Sequence, residues 1–147
     1  MAAIRGRDTS PELLIRRMLH ARGFRFRLHG RNLPGHPDIV LPKYHAVIFV
    51  HGCFWHGHDC PGFRWPATRA DFWQAKIGGN RQRDDRQQGA LTAKGWRIVL
   101  IWECALRGKA RRDIAEVIDS LAAWLSSDGQ QLLIEGNFRD GQPDPAP

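Results

Sequence analysis

A chain of 147 residues, 42% hydrophobic and 25% charged, has the length of one domain and can bury a core without covalent staples. Three cysteines argue against a closed disulfide framework, no run of about eighteen apolar residues is present to span a bilayer, and the opening MAAIRGRDTSPE does not read as a secretory signal. Lys plus Arg exceed Asp plus Glu by 22 to 15 and the pI is near 10.2, a balance that points to nucleic acid before acidic membranes.

The stretch DTSPELLIRRMLHARG predicts a first helix, with Ser10 as N-cap, Pro11 at the first helical position and Gly23 closing it. FRFRL (24–28) alternates with period two and predicts a half-buried strand. HGRNLPGHPD is a Gly/Pro loop that delivers Asp38 to the short strand IVL. A turn at Pro42-Lys43 leads to YHAVIFV (44–50), apolar enough for a central strand. A second helix starts in PATRADFWQAKIG, where Thr68 and Asp71 form a capping-box pattern. Gly78-Gly79 predicts a break, after which Asn80 caps a continuation. WRIVLIW (96–102) is a further buried strand, and ARRDIAEVIDSLAAWLSS carries Ile114, Ile118, Leu121 and Leu125 on one stripe of a third helix. The expected order is αβββαβα, a mixed α/β sheet flanked by helices in one domain over 1–136, with a disordered Pro-rich tail over 137–147.

Between the central strand and the second helix lies VHGCFWHGHDC (50–60), a mixture that no hydrophobic core requires. Cys53, His58 and Cys60 fall in a C-x4-H-x-C pattern, and soft thiolates with an imidazole suit zinc in a closed four-coordinate site. Cys104 in IWEC, at the end of the next strand, supplies a fourth ligand if both strands lie in one sheet. That arrangement uses every cysteine in the chain. His51 at the strand end and His56 are then left over, and a spare histidine in such a loop is ordinarily a polar surface residue.

HPDIVLPKYHAVIFVH looks like the start of the PD-(D/E)xK nuclease pattern, in which a Pro-Asp opens one strand and a second acid with a lysine follows on its partner. Asp38 fills the first role, a carboxylate that holds magnesium against a scissile phosphate. The second strand offers Phe49-Val50-His51 where acid and lysine are expected. A histidine such as His56 can then activate water as general base, and a backbone carbonyl can replace the missing carboxylate as a hard oxygen ligand. Glu12, in the first turn of the first helix, is a further candidate acid, although a Glu there is normally an exposed dipole partner.

Taken together, RDTSPE, LPGHPDIV, VIFVHGCFWH, PATRADFW, KIGGNRQRD and GWRIVLIWECALRG resemble the very-short-patch-repair (Vsr) endonucleases, from about residue 2 to about residue 125. The resemblance implies a restriction-endonuclease-like fold with one structural zinc. It implies magnesium-dependent nicking 5′ of the thymine in T:G mismatches left by deamination of 5-methylcytosine. Asp38 matches the magnesium-binding carboxylate, and Val50 can offer that ion only its backbone carbonyl. His56 matches the general base, and His51 and Glu12 match supporting active-site residues. Cys53, His58, Cys60 and Cys104 match the zinc ligands. Phe54, Trp55 and Trp73 match aromatics that wedge into the stack beside the mismatch, an insertion that an already weakened pair makes cheaper. Arg69, Lys76 and Arg81, with Arg83, Arg86 and Lys94, are candidate phosphate contacts, although Asp84 and Asp85 interrupt the run.

By the same resemblance the partners are double-stranded DNA, a MutL-type repair protein and a cytosine-5 DNA methyltransferase system. The expected protein is a monomer in the cytoplasm, at the bacterial nucleoid, with no membrane role. Relatives often carry an extra N-terminal segment that reaches the DNA; the sequence here starts almost at the first shared motif, so either that contact is missing or the true start lies further upstream. Two other readings compete: a restriction-type or sequence-specific nickase of the same fold, and a zinc-stabilised DNA-binding module without cleavage.

Overall fold

The computed structural model describes residues 9–61 and 63–137. A five-stranded sheet runs in the order β1 (Arg27–Leu28), β2 (Ile39–Leu41), β3 (Ala46–His51), β4 (Arg97–Trp102), β5 (Gln131–Ile134). The first two pairings are antiparallel and the last two parallel. Among the described residues three α-helices, α1 (Ser10–Ala21), α2 (Ala70–Ala93) and α3 (Ile114–Leu125), accompany the sheet.

Burial follows the period of two that a pleated strand imposes. Ile39, Leu41, Ala46, Ile48, Val99 and Ile101 pack on one face against Ile15 and Leu19 of α1 and the α3 stripe of Val117, Ile118, Leu121 and Leu125. Val40, Val47, Phe49 and Ile98 face the other way and meet Leu91 of α2. His51 and Trp102 continue this second set by parity, and they are register partners at the carboxyl ends of β3 and β4. The antiparallel turn from β2 to β3 brings the start of β2 to the same edge, because Ile39 pairs with Ile48. The carboxyl ends of parallel strands are where open α/β sheets bind ligands.

Several sequence expectations are corrected. The N-cap of α1 is Thr9, whose hydroxyl accepts from the Glu12 N–H, so Ser10 is already helical. The strand expected over 24–28 shortens to two residues, because β2 is only three residues long and pairs with Arg27 and Leu28 alone; Phe24 and Phe26 still pack against the core. Arg69, in the left-handed region at φ 56°, precedes α2 without a side-chain cap, so the Thr68–Asp71 capping box does not form. The helix then runs unbroken through Gly78-Gly79 for 24 residues. Its inward stripe is Ile77, Asn80, Asp84 and Leu91, with only the two apolar members fully buried. Asn80 caps nothing and instead donates to the Trp55 carbonyl at 2.9 Å. β5 adds a strand that the expected order lacked. Of the tail expected over 137–147, all but Asn137 lies outside the described residues. Among the described residues no helix is long and apolar enough to cross a membrane.

Candidate active site

Asp38 emerges from a loop whose base is fastened by backbone bonds from His29 to Asp38 and from Gly30 to Pro37. Its Oδ2 accepts the Val50 N–H at 2.7 Å, across the strand pair. Burial, then the negative charge of Glu12, push the Asp38 carboxyl up to about 7, against the opposing pull of the Val50 N–H and Arg16. Glu12 is only 2% exposed, unlike an ordinary first-turn glutamate. It takes a hydrogen bond from Thr9 Oγ1 and faces the Arg16 guanidinium at 3.4 Å, and Arg16 in turn lies 3.1 Å from His29 Nε2. Two carboxyls sharing a desolvated edge, with hard oxygen donors, suit a divalent cation. Val50 meets Asp38 through its N–H and is among the lining residues of two clefts.

His51 is buried, not a surface residue, and its ring lies 3.7 Å from that of His56 at an interplanar angle of 3°. Burial, then the neighbouring His56, push the His51 imidazole down to about 3, so it is neutral across the physiological range. His56 sits on the loop after β3, where its Nδ1 meets Asp84 Oδ2 at 2.5 Å. A carboxylate on Nδ1 orients the ring and leaves Nε2 as the basic nitrogen, the arrangement that suits a general base. Two clefts of about 410 and 420 Å³ open beside this group, one lined by Glu12, His51 and Trp55, the other by Asp38, His56 and Asp84.

The loop between β3 and α2 also forms the cysteine cluster. The donor atoms of Cys53, His58, Cys60 and Cys104 all lie within 4.8 Å of one another. His58 Nδ1 stands 3.6 Å from both Cys53 Sγ and Cys104 Sγ. A tetrahedral zinc with usual bond lengths separates sulfur and nitrogen ligands by about 3.6 Å, so the donor set fits that ion. His58 Nε2 meets Glu135 Oε1 at 2.8 Å, and the Gly136 N–H donates to Cys104 Sγ. Carboxylate on the far nitrogen of a ligating histidine is the usual outer support of a zinc site. Burial pushes the Cys53 and Cys104 thiols up, so a cation is needed to hold them as thiolates. Gly57 lets the chain turn between His56 and His58: its φ is +62°, and a methyl group there would come within 2.7 Å of Ile77.

Phe54, Trp55 and Trp73 contact one another with ring centroids 5.1 to 5.8 Å apart and are half-buried, and Phe54 and Trp55 line the cleft that Glu12 and His51 border. The array continues through Phe63 to Trp65 and through Phe72, and Trp65 and Phe72 are exposed. Arg69, Lys76 and Arg81 are exposed on α2 and its approach; the Arg69 guanidinium lies over the Phe72 ring.

Three participants escaped the sequence reading. Asp84 registered only as an interruption in a basic run, although it lies one turn beyond Asn80 on the stripe that faces the loop. Arg16 reads as a wet helix residue, yet its side chain is only 14% exposed. Glu135 follows β5, a strand that the pattern did not reveal.

Comparison with known proteins gives concordant results. The family model described as "DNA mismatch endonuclease Vsr" matches residues 1–62. The DNA mismatch endonuclease Vsr of Escherichia coli is 43% identical over 135 residues, 92% of this chain and 86% of that protein. The type II nicking enzyme V.XorIIP of Xanthomonas oryzae is 51% identical over 106 residues, 72% of this chain and 78% of its own. A third relative, the type II nicking enzyme V.NmeAIP of Neisseria meningitidis, is 43% identical over 110 residues, 75% and 79% of the two chains.

Proposed function

Because the chain belongs to the Vsr DNA mismatch endonuclease family and is a DNA-nicking endonuclease, we propose that it cuts one strand 5′ of the thymine in T:G mismatches left by deamination of 5-methylcytosine. The observation that carries this reading is the convergence of Asp38 and the His56–Asp84 pair on one cleft, with Trp55 of the aromatic array next to His56 in the chain. In this reading Asp38 and the Val50 carbonyl are the groups that would hold magnesium, and the chemistry that ion would supply when bound is polarisation of the scissile phosphate. His56 takes the proton of the attacking water at Nε2 while Asp84 keeps the ring in that tautomer. His51, neutral and buried, holds the face of the His56 ring. Glu12 shares the Asp38 edge and adds to its negative field.

Phe54, Trp55 and Trp73 enter the stack beside the mismatch, where the wobble pair lowers the cost of unstacking. Arg69, Lys76 and Arg81 meet phosphates and confer affinity without choosing sequence. Cys53, His58, Cys60 and Cys104 hold a structural zinc that closes the loop carrying His56. The protein acts as a monomer and a single domain, at the nucleoid in the cytoplasm, beside a cytosine-5 methyltransferase and with a MutL-type protein downstream.

The experiment that separates this reading from a non-catalytic binding module compares wild type with Asp38→Ala on a labelled T:G duplex in magnesium. Loss of cleavage with mismatch binding retained supports it; cleavage that survives the substitution rejects it.

A further inference from the structure

His56 stands on a loop with Gly52 on one side and Gly57 on the other, so no strand or helix fixes its ring. Three contacts do: Asp84 at Nδ1, the face of His51, and the edge of Trp102 at 6.3 Å and 71°. Trp102 also meets His51 edge to face at 5.4 Å and 73°, and it is only 9% exposed. Its other neighbour is His58 of the cysteine cluster, whose ring lies parallel to the indole at 4.0 Å and 11°. His58 is held in turn by Glu135, whose backbone carbonyl accepts from Arg112 Nε at 2.6 Å. A continuous chain of packed rings therefore runs from the end of β5 through the cluster to the histidine stack.

We propose that Trp102 is a positioning residue: it braces the His51–His56 stack against His58, and Glu135 anchors the far end of that brace. The inference rests on the assignment of His56 as general base. Its physical content is that rings packed at van der Waals distance exclude alternative rotamers, whereas a single hydrogen bond to Asp84 leaves the His56 ring free to swing about it. A displacement of about 1 Å at a reacting group can cost about 100-fold in rate. An aliphatic residue at 102 removes both the stacked and the edge contacts, while Phe keeps part of each.

The test combines single-turnover nicking of a T:G duplex, duplex binding, zinc content and the imidazole signals of His51 and His56 in nitrogen-edited nuclear magnetic resonance spectra. Trp102→Leu should lose about 100-fold in the cleavage rate with duplex affinity and zinc content unchanged, and Trp102→Phe should recover most of that loss. Zinc-loaded Glu135→Ala, remote from the cleft, should move the same imidazole signals and lower the rate about tenfold, and should do neither in the Trp102→Leu background, where the brace is already gone. A folded, zinc-loaded Trp102→Leu that cuts at the wild-type rate overturns the proposal. So do imidazole signals that stay in place in Glu135→Ala. Should Trp102→Leu fail to fold, Trp102→Phe and Glu135→Ala decide by the same signals. If wild type itself does not nick the mismatch, the functional reading falls, and the imidazole signals alone decide the brace.

Discussion

Replacing Asp38 by Asn should make the magnesium-free protein more stable, by an amount that depends on pH in a defined way. Asp38 ordinarily titrates near 3.8 and is pushed to about 7 in the folded chain. Between those values the folded protein keeps a proton that the unfolded chain gives up, so stability falls as pH rises, by about 1.4 kcal/mol per unit. The interval is 7 minus 3.8, about three units, so the penalty reaches about 4 kcal/mol above pH 7 and is nearly absent at pH 4. Asn has no proton to lose, and its amide oxygen can still accept the Val50 N–H. Urea unfolding of magnesium-free wild type and Asp38→Asn, compared at matched zinc content at each pH, should therefore give stabilities that converge toward pH 4. The variant should draw ahead as pH rises through that interval, by about 4 kcal/mol at pH 8. Added magnesium at pH 8 should close the gap by stabilising wild type alone. Stability curves that stay parallel from pH 4 to pH 8 would refute a buried, charge-crowded carboxyl at this position.

Other consequences are as direct. Cys104→Ser should lose bound zinc by atomic absorption and lower the melting temperature by about 10 °C or more, as should a strong chelator on wild type. Gly79 lies exposed within α2, and a methyl group there meets nothing within 4 Å. Gly79→Ala should add about 0.5–1 kcal/mol in chemical denaturation and leave nicking unchanged. Trp55→Ala should weaken binding of a T:G duplex by about tenfold or more in fluorescence anisotropy, more than it weakens a paired duplex.

Where the determinants were local, they were legible. The helix signals around Pro11 and Gly23, the apolar runs that became β3 and β4, and the C-x4-H-x-C spacing each sit within a few residues of one another. Cys104 was reachable because strand ends in one sheet meet. What the pattern hid was set by tertiary contact. The Gly78-Gly79 pair reads as a break, yet the helix crosses it because Ile77 and Leu91 are buried on either side and Asn80 and Asp84 fasten the loop between them. Asp84 and His56 are 28 residues apart, and no spacing rule joins them. β5 is four residues long and gains its place by parallel pairing with β4 after α3 and by packing Leu132 and Ile134 on the core, none of which local pattern reveals. Glu12 looked like a dipole partner because its burial depends on the sheet edge that α1 covers, which local sequence does not reveal.

The most direct measurement is strand-specific nicking of a labelled duplex with one T:G mismatch, in magnesium, beside the same duplex carrying T:A or C:G at that position. The account predicts a single cut 5′ of the mismatched thymine and none in either paired duplex. Equal cutting of paired DNA would contradict it and assign the site to a sequence-specific nickase instead.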